Sequence, residues 1–179
     1  MPLHWPDLTL PPINLWNAPH QEPPMPEPIT HRWHLRFLQL AQHVAGWSKD
    51  PSTQVGACLV RPNRTVLSLG YNGLPRGVAD RDELLADRDY KYARTVHAEM
   101  NAILSAPERP AGCTLYVWPM PPCSSCAASI IQAGIARVVA TAPEERWLHS
   151  CTIGDELLRE AGVSTHWLAG HYVQEVATP

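Results

Sequence analysis

The sequence predicts an α/β protein in which helices pack on a layered sheet. Two observations carry this prediction. From residue 97 onwards, short apolar segments typical of strands alternate with helical segments, and this spacing is typical of right-handed crossovers in a layered sheet. In addition, 45% of the 179 residues are hydrophobic and 17% are charged, which is enough apolar material for one domain with a core.

The first segment, residues 1–29, is predicted to be a proline-rich N-terminal arm. It holds nine of the 19 prolines, and proline removes the backbone donors that a helix needs. The arm is nevertheless too apolar for a plain linker, because it contains Leu3, Trp5, Leu8, Leu10, Ile13, Leu15 and Trp16. We therefore expect it to pack on its own domain or on a neighbouring subunit.

The domain is predicted to span residues 30–170 and to begin with a helix. Thr30 is a suitable N-cap, and the helix ends near Ser48. Large apolar residues recur every three or four positions in this helix, at Trp33, Phe37, Leu40, Val44 and Trp47.

A hairpin and a charged excursion follow this helix. Segments 54–60 and 65–73 read as two strands joined by a turn at Pro62 and Asn63. The next segment, residues 74–94, is dense in charge, and we interpret the charged run at 80–94 as a solvated helix face.

Strands and helices then alternate to the end of the domain. Helices are predicted at 97–106, 126–135 and about 152–161, and strands at 114–119, 137–142 and 164–169. Residues 171–179 are predicted to form a loose C-terminal tail.

The charge and hydropathy of the chain restrict its partners. A net charge of -3 and a pI near 6.3 provide no basic face for long nucleic acid, so nucleic acid is not an expected partner. No apolar run is long enough for a membrane span, and the N-terminus lacks the basic and apolar regions of a signal peptide. We therefore expect a cytoplasmic protein, or one of the host cytoplasm if the chain is viral.

Five cysteines are an odd number in a chain that is large enough to fold without disulfides. Metal binding or catalysis is therefore the favoured use of some of them. Cys58 lies in an apolar strand and is predicted to be a core residue. Cys113 and Cys151 fall at the edges of predicted elements, and we expect no catalytic role for them.

His97, Cys123 and Cys126 are the candidate metal ligands. Three ligands of these types are what a catalytic zinc uses, with a fourth position left for water. Cys-x-x-Cys spacing allows two thiolates to bind one ion, and Pro122 is placed in the first turn of the predicted helix. A helix N-terminus favours the thiolate form of both cysteines.

Glu99 is the candidate catalytic residue. A separation of two residues on a helix is a rotation of roughly 200°, so Glu99 does not lie beside His97 as a second ligand of that helix would. It is suited instead to move protons to and from the water that a zinc activates.

His-x-Glu followed by Pro-Cys-x-x-Cys is the general signature of zinc-dependent nucleobase deaminases. Here it reads His97-Ala98-Glu99 and Pro122-Cys123-Ser124-Ser125-Cys126. Either half alone is a weak signal, because Cys-x-x-Cys also occurs in redox proteins and His-x-Glu is common by chance. The two together are specific.

Four further segments resemble the deoxycytidylate (dCMP) deaminase family. They are SKDPSTQVGA at 48–57, GYNGLPRG at 70–77, HAEMNAI at 97–103 and IIQAGIARVV at 130–139. The likeness extends from about Trp33 to Leu168. It implies a cytidine deaminase-like fold, which is a three-layer α/β/α sandwich with a mixed five-stranded sheet.

The resemblance also implies an activity, the hydrolytic conversion of dCMP to dUMP and ammonia as a precursor for thymidylate synthesis. Glu99 would move the proton while activated water attacks C4 of cytosine. Asn72 would contact the sugar, and the backbone at Ala98 would contact the pyrimidine. One Zn²⁺ per chain is expected, since segment 74–94 has no cysteine or histidine for a second ion.

Regulation and assembly follow from the same resemblance. It implies a homo-oligomer, specifically a homohexamer, and allosteric control by dCTP and dTTP with Mg²⁺. Asn72 and Arg76 are the candidate effector-binding residues. The residue that holds the substrate phosphate is not assigned, and the candidates are Lys49, Arg81, Arg88, Lys91, Arg94 and Arg146.

Several alternatives to a dCMP deaminase share the zinc signature. A dual dCMP/dCTP deaminase of viral type is one, and a deaminase acting on a base in tRNA or single-stranded DNA is another. The acidic charge balance disfavours the second. A third alternative is a non-catalytic subunit that senses nucleotides, which has no need for a carboxylate at Glu99.

Overall fold

A mixed five-stranded sheet is the centre of the fold. The computed structural model describes residues 30–169, so the predicted arm and tail lie outside the described residues. The strands are Gly56–Val60 (β1), Val66–Tyr71 (β2), Thr114–Trp118 (β3), Arg137–Thr141 (β4) and Ser164–Leu168 (β5). Their order is β2-β1-β3-β4-β5. β1 is antiparallel to both of its neighbours, whereas β3, β4 and β5 are mutually parallel.

Six helices accompany the sheet within the described residues. They are His31–Ala45 (α1), Asp82–Ala86 (α2), Arg88–Tyr92 (α3), Ala98–Leu104 (α4), Ser124–Ala133 (α5) and Leu148–Glu160 (α6). A 3-10 turn at Glu145–Trp147 leads directly into α6. None of the helices between residues 30 and 169 combines the length and the apolar character that crossing a bilayer requires.

The two faces of the sheet are covered by different helices. On one face, Phe37, Leu38 and Ala41 of α1 form a core cluster with Cys58, Val60, Tyr116 and Val139. On the other face, α4, α5 and α6 contribute Ala98, Ala102, Ala127, Ile130 and Leu158 to a larger cluster. Strands buried on both faces read as continuous apolar runs, as β1 and β3 do. The predicted three-layer α/β/α sandwich with a mixed sheet is confirmed.

Close backbone contact fixes the position of α4 on the sheet. A Cβ atom at Gly70 of β2 would lie 2.3 Å from both the carbonyl oxygen of Ala98 and the amide nitrogen of Ala102. Only glycine leaves room for a helix this close to a strand. The first turn of α4 is therefore held directly against the end of β2.

Three local predictions need correction. α5 begins at Ser124, so Pro122 precedes the N-cap Cys123 and does not lie in the first turn. α6 begins at Leu148, four residues earlier than predicted, and thus includes Cys151. Lys91 lies in the charged segment that we interpreted as solvated, yet it is only 5% exposed, because an acidic partner is buried with it.

Candidate active site

The three candidate metal ligands meet where two helices begin. His97 is the N-cap of α4, Cys123 is the N-cap of α5, and Cys126 lies in the first turn of α5. His97 and Cys123 are 26 residues apart in the sequence. Their side chains nevertheless lie in contact, because both helices start at the same edge of the sheet.

Strand register explains this convergence. Tyr71 at the end of β2 and Trp118 at the end of β3 both pair with Gly56 of β1. β4 is parallel to β3, so it ends at this edge as well. The segments that follow three strands are thus brought together, which is the usual place for a ligand site in an open α/β sheet.

The distances among the ligand atoms fit a zinc ion. Nδ1 of His97 lies 3.5 Å from Sγ of Cys123 and 3.3 Å from Sγ of Cys126. A tetrahedral zinc with Zn–N of about 2.0–2.1 Å and Zn–S of about 2.3 Å places these atoms roughly 3.5 Å apart. Within residues 30–169, this is the one group of histidine, cysteine and acidic side chains that is arranged to hold a metal.

The electrostatics of the ligands favour a cation. The hydrogen bond from the Cys126 thiol and contact with His97 lower the pKa of Cys123 to about 4. The same bond and burial raise the pKa of Cys126. The hydrogen bond to Cys123 also raises the pKa of His97 to about 8. A metal ion takes the place of such protons, because it binds thiolate and neutral imidazole.

Glu99 is almost completely buried beside these ligands. The residue is 4% exposed and lies in the first turn of α4. Burial raises the pKa of its carboxyl group, although His97 acts in the opposite direction. A carboxyl group with a raised pKa in a pocket is suited to take up and release a proton.

An open cavity of about 330 Å³ lies over the ligands and Glu99. Its walls come from the loop between α1 and β1, the end of β2, the starts of α4 and α5, and the 3-10 turn with α6. They include Asp50, Ser52, Thr53, Val55, Asn72, Thr95, Met120, Ser124, Trp147, Ser150 and Cys151. This volume lies at the lower end of the range for small-molecule sites.

Asn72 lies in the wall of this cavity, with its amide held in one orientation. Its Oδ1 accepts a hydrogen bond from the backbone N–H of Val55 at 2.8 Å, and its Nδ2 donates to the carbonyl oxygen of Thr53 at 2.9 Å. The Ser48 hydroxyl donates to the Asn72 carbonyl oxygen at 2.8 Å. The structure thus places Asn72 and Ala98, both selected from the sequence, at the cavity beside the candidate ligands and Glu99.

Trp147 and Cys151 also line the cavity, although neither was predicted from the sequence to be a site residue. Trp147 carries a buried indole Nε1 that has no hydrogen-bond partner in the structure. Cys151 is buried, and its thiol donates to the carbonyl oxygen of Pro121 at 3.3 Å. Both residues follow β4: Trp147 ends the 3-10 turn, and Cys151 lies in the first turn of α6, before the predicted start of that helix.

The remaining candidates do not line the cavity. Arg76 is exposed in the loop between β2 and α2 and is not part of the lining. Among the residues from 30 to 169, no lysine or arginine lines the cavity. Lys91, one of the six phosphate candidates, is paired with a buried aspartate and has no free charge for a phosphate.

Comparison with known proteins assigns the family. The cytidine and deoxycytidylate deaminase zinc-binding region matches residues 31–142, which include every candidate ligand and Glu99. The chain belongs to the cytidine and deoxycytidylate deaminase family. Its zinc-binding character therefore agrees with the His-Cys-Cys group found at the sheet edge.

Curated members of this deaminase family share a large part of the chain. An uncharacterized deaminase of the luxG 3' region of Aliivibrio fischeri is 43% identical over 76% of this chain and 94% of the relative. The deoxycytidylate deaminase of Homo sapiens is 37% identical over 74% of this chain and 77% of the relative.

A solved structure shows the same deaminase fold. The dCMP deaminase from the cyanophage S-TIM5, in complex with dCMP and dUMP, is 23% identical. The two structures have a TM-score of 0.65, with 78% of this chain and 99% of that chain covered. At this identity the likeness establishes the fold.

Proposed function

We propose that this protein catalyses the zinc-dependent hydrolytic deamination of dCMP to dUMP and ammonia. The observation that carries the proposal is the buried carboxyl group of Glu99, placed beside three metal ligands in one cavity. Family membership supports it, as do relatives named deoxycytidylate deaminase in animals. The product would be a precursor for thymidylate synthesis.

In this proposal, His97, Cys123 and Cys126 hold one zinc per chain, with two thiolates balancing its charge. When bound there, zinc activates a water molecule by lowering its pKa to about 7. Glu99 would accept a proton from that water and deliver it to N3 of the cytosine as the hydroxyl group adds at C4. It would then move the remaining hydroxyl proton to the amino group, so that the C4–N bond breaks, the C4 carbonyl forms and ammonia leaves. Burial suits Glu99 to this exchange, because it raises the pKa of the carboxyl group.

Asn72 and Ala98 would orient the nucleotide. The first backbone N–H groups of a helix have no partner within that helix, and Ala98 is the first residue of α4. Its N–H can therefore donate to the pyrimidine. Asn72 has one N–H bonded to Thr53, so its second N–H can donate to a sugar hydroxyl.

Within the cytosine nucleotides, the number of phosphates on the preferred substrate is to be determined by experiment. Since the lining within residues 30–169 contains no lysine or arginine, the phosphate would contact hydroxyl and N–H donors such as Ser124, Ser150 and Trp147. A dual dCMP/dCTP deaminase would use the same three metal ligands and Glu99. The substrate panel below therefore includes both nucleotides.

Regulation and assembly belong to the same proposal. We infer that the protein is a homo-oligomer, with a hexamer as the specific expectation, and that dCTP and dTTP with Mg²⁺ act as effectors. Arg76 and Asn72 would bind the effector, because the loop that follows Asn72 carries the exposed Arg76 side chain. Sedimentation and turnover with each effector would test both inferences.

The deciding experiment is loss of cytosine absorbance on incubation with dCMP, dCTP, CMP and deoxycytidine. We expect rapid turnover of dCMP, alone or together with dCTP. Glu99→Gln should lower kcat by at least about 1000-fold, near the upper part of the 10²- to 10⁴-fold range for acid–base catalysis, because solvent has little access to this 4%-exposed position.

Glu108→Gln is the matched control, because it makes the same chemical change at an exposed glutamate that pairs with Arg61. It should leave turnover unchanged. Absence of turnover of all four compounds by the zinc-loaded protein, with effectors present, would overturn the proposal. A polynucleotide substrate or a silent nucleotide-sensing subunit would then be favoured.

A further inference from the structure

Two buried charges meet at the wall of the cavity, which Asp50 itself lines. Lys91 at the end of α3 and Asp50 in the loop between α1 and β1 form an ion pair with a 2.8 Å separation. Their side chains are only 6% and 8% exposed. The two residues are 41 positions apart in the sequence, so the pair links two segments that are distant in the chain.

Asp50 organises the loop on its own side of this pair. Its Oδ1 accepts hydrogen bonds from the backbone N–H groups of Ser52 at 2.8 Å and Thr53 at 3.0 Å, and from the Ser52 hydroxyl at 2.9 Å. Burial acts to raise the pKa of Asp50, but Lys91 and these donors outweigh it and lower the pKa. Asp50 is therefore held as a carboxylate that closes the turn.

Lys91 is bonded at both ends. Its ammonium group reaches Asp50 and the Ser52 hydroxyl. Its backbone carbonyl oxygen accepts hydrogen bonds from the N–H of Thr95 at 2.9 Å and the Thr95 hydroxyl at 2.8 Å. Thr95 lines the cavity two residues before His97, so one lysine connects the turn at Ser52 with the segment that leads into α4.

The organised turn in turn holds Asn72. The carbonyl oxygen of Thr53 accepts from the Asn72 side chain, and the N–H of Val55 donates to it. A continuous series of bonds thus runs from Lys91 through Asp50 and Thr53 to Asn72. Each of the last three residues contributes to the cavity wall.

Fold stability alone is a weak reason for such a pair, because desolvation of two charges offsets much of their attraction and an apolar pair is often as stable. We propose that Lys91 and Asp50 are positioning residues, which fix the cavity wall around Asn72 and thereby set the affinity for the substrate. This inference rests on the proposed function and adds the groups that shape its binding site.

The variants Lys91→Met, Asp50→Asn and the double variant separate positioning from stability. Each single variant leaves an uncompensated buried group and should lower the melting temperature. The double variant removes both charges and should recover much of that loss. We nevertheless expect KM for the substrate to remain raised about 10- to 100-fold in all three, as for other residues that orient a site, with kcat within about threefold of wild type.

Glu108→Gln is again the matched control, since it neutralises one partner of an exposed ion pair, Arg61–Glu108, with a similar 2.7 Å separation. It should change neither KM nor melting temperature. A double variant with the KM of wild type would overturn the inference, because the pair would then serve stability alone. A fall in kcat at constant KM would overturn it too.

Amide hydrogen exchange distinguishes failure of this inference from failure of the proposed function. If the wild-type protein deaminates no cytosine nucleotide, the proposed function fails, but exchange at residues 50–55 still reports on the turn. We expect the Ser52 and Thr53 amides to exchange faster in Lys91→Met and in the double variant, and to match wild type in Glu108→Gln. Unchanged exchange in the double variant would refute positioning by the pair.

Discussion

Gly154 in α6 packs directly against the segment that carries two of the candidate zinc ligands, and Gly154→Ala tests this packing. A Cβ atom at Gly154 would lie 2.3 Å from the carbonyl oxygen of Pro122 and 3.1 Å from the carbonyl carbon of Cys123. Both contacts involve backbone atoms, which cannot turn away as a flexible side chain can. The alanine therefore has to displace the backbone at Cys123 or move α6.

The size of this displacement sets the expected effect. The Pro122 oxygen would have to retreat by about 0.7 Å merely to reach 3.0 Å from the new Cβ. Zinc–ligand distances tolerate only about 0.2 Å, so a shift of this size at Cys123 should weaken zinc binding. We expect about 10- to 100-fold lower affinity, which corresponds to about 1.4–2.7 kcal/mol. Overpacking adds about 1–3 kcal/mol of destabilisation, partly offset by the better helix propensity of alanine.

Zinc competition with a chromophoric chelator measures the first effect, and thermal unfolding measures the second. Gly46→Ala is the matched control, because its backbone is in the right-handed helical region and its Cβ would approach only the His43 carbonyl oxygen, at 3.3 Å. Wild-type zinc affinity together with a wild-type melting temperature in Gly154→Ala would show that this packing does not hold Cys123 in place.

Three further predictions concern stability, binding and the metal. Burial, with the charges of Arg137, His166 and His31, lowers the pKa of His34 from 6.5 to about 4. Since the unfolded chain binds this proton more readily, the contribution of neutral His34 to the free energy of unfolding is complete above pH 6.5 and is lost as the pH falls towards 4. In urea unfolding, His34→Gln should reduce this acid-induced loss of stability by about 1–2 kcal/mol, after allowance for screening. An unchanged pH dependence of stability would contradict this prediction. Trp147→Phe should raise KM by about 2- to 12-fold with kcat retained, because one hydrogen bond is worth about 0.5–1.5 kcal/mol; an unaltered KM would mean that the indole N–H does not bind substrate. Removal of zinc should abolish turnover and lower the melting temperature by about 5–11 °C relative to protein with zinc at 100 times its Kd, and re-addition of zinc should restore both; a melting temperature indifferent to zinc would argue against the His-Cys-Cys site.

The candidate ligands and the fold could be predicted from the sequence because their signals are local. Cys-x-x-Cys spacing and the apolar periodicity around it lie within a few residues of each other, and the same is true of His97 and Glu99. The mixed direction of the strands came from family resemblance, and their order came only from the structure, since periodicity identifies a strand without identifying its neighbours. The register of Gly56 with Tyr71 and Trp118 then determines which helix starts converge.

The residues that form and support the cavity wall could not be predicted from local sequence patterns. Lys91 stands in a run of charges that is typical of a solvated helix, and its partner Asp50 is 41 residues away. Trp147 and Cys151 were hidden because polar residues His149 and Ser150 interrupt the apolar pattern at the true start of α6. Side chains that act through distant partners leave no periodic trace in a single sequence.

The opposite edge of the sheet offers a place to attach something to this protein. β1 begins at Gly56, at the cavity edge of the sheet, and runs away from it. The chain then reverses at Pro62, Asn63 and Arg64, all of which are exposed. The length of the strands separates this reversal from the cavity. Exposed turns of this kind tolerate insertions, so a fluorophore, a surface tether or a fused reporter domain placed at Asn63 would leave the entrance for small molecules unobstructed.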